Sequence, residues 1–442
     1  MAFLLIPNEV DNNRATIWLA AINDGFDPAT ATLQYGANQV AVSAGWNDSA
    51  TTDRNYRIRY QRVTLDNLSP RTLYNLTFLI GGASVATATV TTLPDRLPVA
   101  GERPFIVLLG SCYFNHEDKA GAVGQTFLQL PAGAQPEIKI LCGDQVYLDN
   151  PFLDFINPFH GHDWLESRSF KTYLDAWTQT NFGGGFRQLL MNGGNFFSSD
   201  DHEYWNNAPD VGLNVLAYTA TQGKRDTWLG IGRQLYQIFQ TSPTPPVMFK
   251  VGALSFCNAD TRFFRGHGGG NDNFMQPQDL QAIGNWLENL DGPGVLVVGQ
   301  PLFSNTGSIK DWGLPDFKSQ YAELLQYLRA AKHSIVILTG DVHFARVAKA
   351  TLRQDLGTQL IEIISSPMQL VPLGGGKYEA APDVLKGVQS EPEFSLHRNH
   401  FLTLEFTAPS AQRAAMTVRF WPIIKNGAAL QSQTIGEPIE LI

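Results

Sequence analysis

Three short apolar runs in this 442-residue chain each lead into a cluster of acidic residues, histidine or tyrosine. Ile138-Lys139-Ile140-Leu141 runs to Gly143-Asp144-Gln145-Val146-Tyr147. Asn195-Phe196-Phe197 runs to Asp200-Asp201-His202-Glu203, and Ile335-Val336-Ile337-Leu338 to Gly340-Asp341-Val342-His343. Short continuous apolar runs suit strands buried on both faces, as in a parallel sheet. A strand tip that delivers carboxylates and imidazoles is how an α/β sheet builds a metal site. The chain has only 9 histidines, so three such tips argue for one shared site.

Further apolar runs lie at Phe105 to Leu109, Val295 to Val298 and Leu360 to Ser365. Between some of them the period is helical. Leu280, Ile283, Leu287 and Leu290 share one face after Pro277, and a second helix is expected over Tyr321 to Ala331. Strand and helix alternate, which predicts an α/β core, with late strands at Phe401 to Phe406 and Met416 to Trp421. Residues 1–95 differ. Runs such as Ala15 to Leu19 and Arg57 to Tyr60, separated by turn residues, predict all-β structure. Leu68-Ser69-Pro70-Arg71-Thr72-Leu73-Tyr74 resembles the Leu-x-Pro-x-Thr-x-Tyr stretch of fibronectin type III sandwiches, where a tyrosine corner closes a turn. The last strand of this unit is expected over Val85 to Thr92, and Leu93 to Pro98 reads as a linker. The division is therefore a β-sandwich at 1–95 and an α/β domain at 104–442. Asn150 to Asn195 and Ala208 to Pro246 read as inserted elements roofing a pocket. Their aromatics, Trp164, Trp177, Phe182 and Trp205, are expected in core or lid packing.

Bulk properties exclude several classes. Hydrophobic residues make up 43% of the chain, the ordinary share for a folded globular protein. A formal net charge of −9 argues against bulk binding to nucleic acid or an anionic membrane. Three cysteines cannot build a disulfide framework. No run reaches the ~18 apolar residues of a membrane span, and no signal segment opens the chain. The expected location is cytoplasmic, or periplasmic or secreted if an export signal has been removed. Oligomeric state is not legible.

The motif residues carry a specific chemistry. Asp144, Asp201 and Asp341 offer hard carboxylate ligands, and His202 and His343 offer imidazole. Tyr147 as a phenolate would favour Fe(III), and Cys112 as a thiolate points to iron or zinc rather than to calcium alone. Each has a plainer reading: Cys112 as a small core residue, Asp144 as a turn residue, and His202 in a salt bridge. Arg262 and Arg265 as braces for carboxylates complete the plain set.

Taken in order, Gly-Ser-Cys at 110–112, Gly-Asp-Gln-Val-Tyr at 143–147 with Asp149, and Asp-Asp-His-Glu-Tyr-Trp-Asn-Asn at 200–207 form a pattern. Asp-Thr-Arg-Phe-Phe-Arg at 260–265 and Gly-Asp-Val-His at 340–343 continue it. It resembles the alkaline phosphatase D (PhoD-like) branch of the calcineurin-like metallophosphoesterases. The resemblance implies a four-layer αββα core behind an N-terminal sandwich. It also implies a phosphodiesterase or alkaline phosphatase that cleaves phosphate esters by attack of metal-bound hydroxide. In that scheme Asp144 bridges two metals. Cys112, Tyr147 and Asp341 bind Fe(III), while Asp201, Asn206 or Asn207, and His343 bind a second metal, calcium first among candidates. Zn(II), Mn(II) and Mg(II) remain alternatives. His202 is the general acid, and Arg262 or Arg265 holds phosphate oxygens. The pattern departs from the wider superfamily at Ser111-Cys112, Gly340-Asp341 and Gly299-Gln300-Pro301, in agreement with this branch. The rival reading is a binding or adhesion protein whose β-sandwich does the work around a structural metal centre.

Overall fold

The computed structural model describes residues 2–22, 27–118, 120–157, 160–178, 185–266, 272–304, 312–370, 391–410, 413–424 and 428–442. Phe182, assigned to lid packing from sequence, lies outside them.

The first ninety residues form two four-stranded sheets. One has the order Ala2–Val10, Ala15–Ile22, Arg57–Leu65, Asn47–Ala50; the other runs Asn38–Ala41, Ala31–Tyr35, Leu73–Ile80, Ala83–Thr91. All pairings described within them are antiparallel. Alternation sends Leu5, Ile17 and Leu19 from one sheet, and Leu33, Leu76 and Phe78 from the other, into one shared core. The Tyr74 hydroxyl accepts a hydrogen bond from the Ser69 backbone N–H at 2.8 Å, closing the turn before its strand. Tyr74→Phe should remove that bond alone and cost about 1 kcal/mol; an unchanged urea midpoint would show that the corner contributes nothing.

Two larger sheets follow. The six-stranded sheet has the order Gly194–Ser198, Ile138–Cys142, Phe105–Gly110, His400–Ser410, Arg413–Pro422, Gln433–Leu441. The seven-stranded sheet runs Val247–Val251, Leu254–Asn258, Gly294–Val297, Ile335–Thr339, Thr358–Ile364, Ala345–Arg353, Glu391–Leu396. Within each, a parallel block sits at the centre or edge: three strands in the first sheet and four in the second. These are the apolar runs of the sequence.

Strand alternation sorts their side chains into three cores. Phe105, Val107 and Leu109 share a core with Val295, Val297, Val336 and Leu338 of the other sheet. Leu108, Leu141 and Phe197 face instead a core with the helices His162–Thr178 and Gln222–Phe239, represented by Trp177, Leu235 and Phe239. Leu296, Ile335 and Ile337 face the helices Pro277–Glu288 and Lys318–Ala330. Trp177 and Trp205 are fully buried among the second of these cores, and Trp164 packs partly buried against it.

The C-terminal tips of the parallel strands of both sheets converge. Ser111 Oγ donates to the Ser365 carbonyl at 2.9 Å, and Ser365 Oγ donates to the Leu109 carbonyl at 2.9 Å. A Cβ on Gly340 would stand 2.4 Å from Ser111 Oγ and 2.7 Å from the Cys142 carbonyl. Only a glycine lets these two tips approach so closely.

Candidate metal centre

Every parallel strand hands its next few residues to one place. Phe105–Gly110 delivers Cys112, Ile138–Cys142 delivers Asp144 to Asp149, and Gly194–Ser198 delivers Asp200 to Glu203. Leu254–Asn258 delivers Asp260 to Arg265, Gly294–Val297 delivers Gln300, Ile335–Thr339 delivers Asp341 and His343, and Thr358–Ile364 delivers Ser366. Backbone strain is concentrated there as well. Eight non-glycine residues among those described have positive φ, and five are Cys112 (55°), Asp144 (57°), Asn207 (65°), Asp341 (70°) and His343 (58°). Such conformations cost of order 1 kcal/mol or more each and persist only where the surroundings fix them.

Asp144 is the hub. Its Oδ2 lies 3.3 Å from Cys112 Sγ and 3.4 Å from the Tyr147 hydroxyl. Its Oδ1 accepts from the His202 backbone N–H at 3.1 Å. Ser366 Oγ approaches Cys112 Sγ at 3.1 Å. Three groups bring potential ligand atoms within 4.8 Å of one another: Cys112, Asp144 and His343; Asp144, Asp201 and His202; and Asp200, Asp201 and Asp341. Asp144 and Asp201 each belong to two of them. These groupings cross the ligand division that the resemblance implies, because His343 sits with Cys112 and Asp341 sits with Asp201. Asn207 gives its backbone N–H to Asp201 Oδ2 at 2.6 Å, and Asn206 gives its own to Asp149 Oδ2 at 2.9 Å.

The electrostatics describe a buried cluster of anions. Burial, and then the neighbouring Asp144 charge, pushes the Cys112 thiol well above its usual range. Tyr147 is raised by burial, Cys112 and Asp144. Asp144 is raised by burial, which the His202 charge only partly offsets. Asp200 is pushed up to about 6 by burial, against the pull of Arg262. Burial also acts to raise Asp201, but His202 and Arg262 outweigh it and hold the carboxyl low. Burial alone would neutralise His202; Asp149, Asp201 and Asp144 overcome it and keep the imidazolium well above its usual range. His343 is lowered to about 4 by burial and by the His202 charge.

Several residues outside the motif-derived site list take part. Asp149 Oδ1 meets His202 Nδ1 at 2.7 Å and orients the ring, which stacks on Tyr147 with centroids 4.1 Å apart. Gln300 Nε2 donates to Asp341 Oδ2 at 3.0 Å. Asp200 both joins an acidic group and accepts from Arg262 Nε at 2.7 Å. Glu203 is fully buried and, among the described residues, accepts from three backbone N–H groups. Its signal was visible, since Asp-x-x-Glu is a helix-start pattern and Asp200 and Glu203 form a capping box.

Arg262 and Arg265 are 4% and 3% exposed. Arg262 is committed to Asp200 and, through Nη1, to the Ala208 carbonyl at 2.7 Å. Arg265 donates to the Thr261 and Trp312 carbonyls at 3.1 Å each. The Nη2 of each has no partner among the described residues; the same holds for Asp200 Oδ2 and Asp201 Oδ1. A buried polar atom without a partner costs about 1–3 kcal/mol. Unpartnered carboxylate oxygens within a thiol, imidazole and carboxylate set suit a cation, so the residues fit a metal of the kind the sequence implies.

No family model and no curated protein matches this chain. Among solved structures, a glycosyl hydrolase family 2 member from Bacteroides cellulosilyticus aligns with a TM-score of 0.22 and 9% identity over 96% of this chain and 67% of that one, too distant to bear on the fold. The structure of PhoD aligns with a TM-score of 0.64 over 97% of this chain and 88% of that one, at 14% identity. The chain is thus a mixed α/β protein with the fold of PhoD.

Proposed function

We propose that the protein is a metal-dependent phosphoesterase acting on phosphodiesters and monoesters. The observation that carries this reading is the convergence of Cys112, Asp144, Tyr147, Asp201, Asp341 and His343 at the tips of strands from both large sheets. The likeness to PhoD supports it. In the same reading residues 1–95 are a fibronectin-type sandwich. Residues 104–442 are a catalytic domain whose two sheets and flanking helices make four αββα layers.

Asp144, which belongs to two of the potential ligand groups, would help to hold more than one cation. Cys112 and Tyr147 would complete an anionic position, a soft thiolate beside a hard phenolate, suited to Fe(III), and Asp201 with Asn206 or Asn207 would serve a second position suited to Ca(II). Asp341 and His343 are divided between the two positions. Bound cations would polarise the phosphoryl oxygens and lower the pKa of water from about 15.7 to about 7. The chain's own contribution is to orient and to move a proton. Arg262 or Arg265, each with an Nη2 that has no partner among the described residues, would supply a donor to a phosphoryl oxygen, where a fixed donor counts most in a dry site. Asp149 holds His202 by Nδ1. That leaves Nε2 to give its proton to the departing alkoxide. The substrate is a phosphate ester, and the protein works wherever such esters occur, in the cytoplasm or, after loss of an export signal, in the periplasm or outside.

If the acidic cluster is completed by cations, these bind the folded state alone. A divalent or trivalent ion at about 100 times its dissociation constant should add about 2.7 kcal/mol of stability. Calorimetry of chelated protein titrated with Fe(III), Ca(II), Mn(II) and Zn(II) tests this. A melting temperature indifferent to all four would remove the reading.

A further inference from the structure

Glu203 is among the most deeply buried acids of the chain, and no Lys, Arg or His forms an ion pair with it among the described residues. Its carboxylate is spent on backbone. Oε2 accepts from the Asp144 N–H at 2.9 Å and from the Asp200 N–H at 2.8 Å, while Oε1 accepts from the Gln145 N–H at 2.7 Å. One oxygen atom thus ties together two turns that follow different strands, Ile138–Cys142 and Gly194–Ser198. The first turn carries Asp144 in a left-handed conformation after Gly143, which also has positive φ. The second carries Asp200 and Asp201. A Cβ on Gly143 would stand 2.4 Å from Asp200 Cβ, so the two turns already touch there.

We infer that Glu203 is a positioning residue that locks these two turns in register and thereby sets the separation of Asp144 from Asp200 and Asp201. The inference rests on the metal-centre reading above and adds a named residue to it. The chemistry is specific to a carboxylate. Three N–H donors converge on two oxygens, and an ionised carboxylate is acceptor-only on both. An amide of the same shape always directs an NH2 at one turn: it loses either the Gln145 contact or both contacts at the shared oxygen. In the first orientation the shared oxygen still spans the two turns but an NH2 opposes the Gln145 N–H; in the second the span itself is lost; volume is kept in both. Supporting residues of this kind tune metal affinity by about 10–100-fold.

The test uses the full chain and Mn(II) alone as probe. Glu203→Gln should weaken Mn(II) binding by about 10–100-fold in a calorimetric titration, and excess Mn(II) should restore its phosphoesterase rate. Glu137→Gln is the control. Glu137 is a comparably buried carboxylate that accepts from the Ile106 N–H at 2.8 Å and pairs with Arg103, at the opposite ends of the strands. It should lower the melting temperature and leave Mn(II) affinity unchanged. If Glu203→Gln does not fold, Glu203→Asp, which keeps the charge but is one methylene shorter, is measured the same way. Native-like Mn(II) affinity in the folded Glu203 variant, or equal loss in Glu137→Gln, would overturn the inference alone. A native protein that takes up no Mn(II) and hydrolyses no ester would instead bring down the metal-centre reading and this inference together.

Discussion

Asp144→Asn should abolish phosphoester turnover while the protein still folds. Asn keeps the shape and the Oδ1 acceptor for the His202 N–H. It replaces with an NH2 donor the Oδ2 that stands 3.3 Å from Cys112 Sγ and 3.4 Å from the Tyr147 hydroxyl. A donor at that point cannot ligate a cation. The loss should go well beyond the roughly 10–100-fold seen when only a supporting residue is changed. Folding should be spared because the change removes one anion from a buried acidic cluster, where Asp201, Asp200 and Glu203 all act to raise Asp144. The measurements are kcat on a phosphodiester, metal content of the purified variant, and its melting temperature without metal. Retained turnover would exclude Asp144 as the shared ligand.

The second large effect belongs to His202. His202→Asn should slow cleavage of an ester with an alkyl leaving group by about 10²–10⁴-fold, the usual worth of general acid catalysis. An ester that releases p-nitrophenolate needs no proton and should slow far less. The divergence between the two leaving groups is the diagnostic result; equal losses on both would assign His202 a ligand or structural role. The pH profile carries a matching sign. The imidazolium is held above its usual range by Asp149, Asp201 and Asp144 in spite of burial. The His202-dependent step should therefore persist to higher pH than an unperturbed imidazole would allow, and be lost as pH rises further.

Much of this site was legible because α/β sheets place their chemistry at strand ends. Continuous apolar runs such as Ile335 to Leu338 announce strands buried on both faces, and their last residues must then emerge at the rim. Cys112, Asp144, Asp201, Asp341 and His343 were found in this way. The helices Pro277–Glu288 and Lys318–Ala330 followed from their 3.6-residue period. What the sequence hid is what depends on distance between segments. Nothing local couples Asp149 to His202, 53 residues apart, or Gln300 to Asp341, 41 apart. The pairing of His343 with Cys112 rather than with Asp201 depends on how two sheets meet at Gly340 and Ser111. The left-handed turn at Cys112 was equally invisible, since cysteine does not favour positive φ and tertiary packing imposes it. Arg262 shows both readings at once: it braces Asp200, as a buried arginine commonly does, and keeps one Nη2 unpartnered among the described residues.

The central claim is that these strand tips form a metal centre that cleaves phosphate esters. Hydrolysis of bis-p-nitrophenyl phosphate and p-nitrophenyl phosphate tests it most directly. The assay compares protein as purified, chelated protein, and protein restored with Fe(III), Ca(II), Mn(II) or Zn(II). Turnover that disappears on chelation, returns with metal and is faster on the diester is the predicted result. A folded protein that binds these metals yet hydrolyses neither ester, under every restoration, would contradict it.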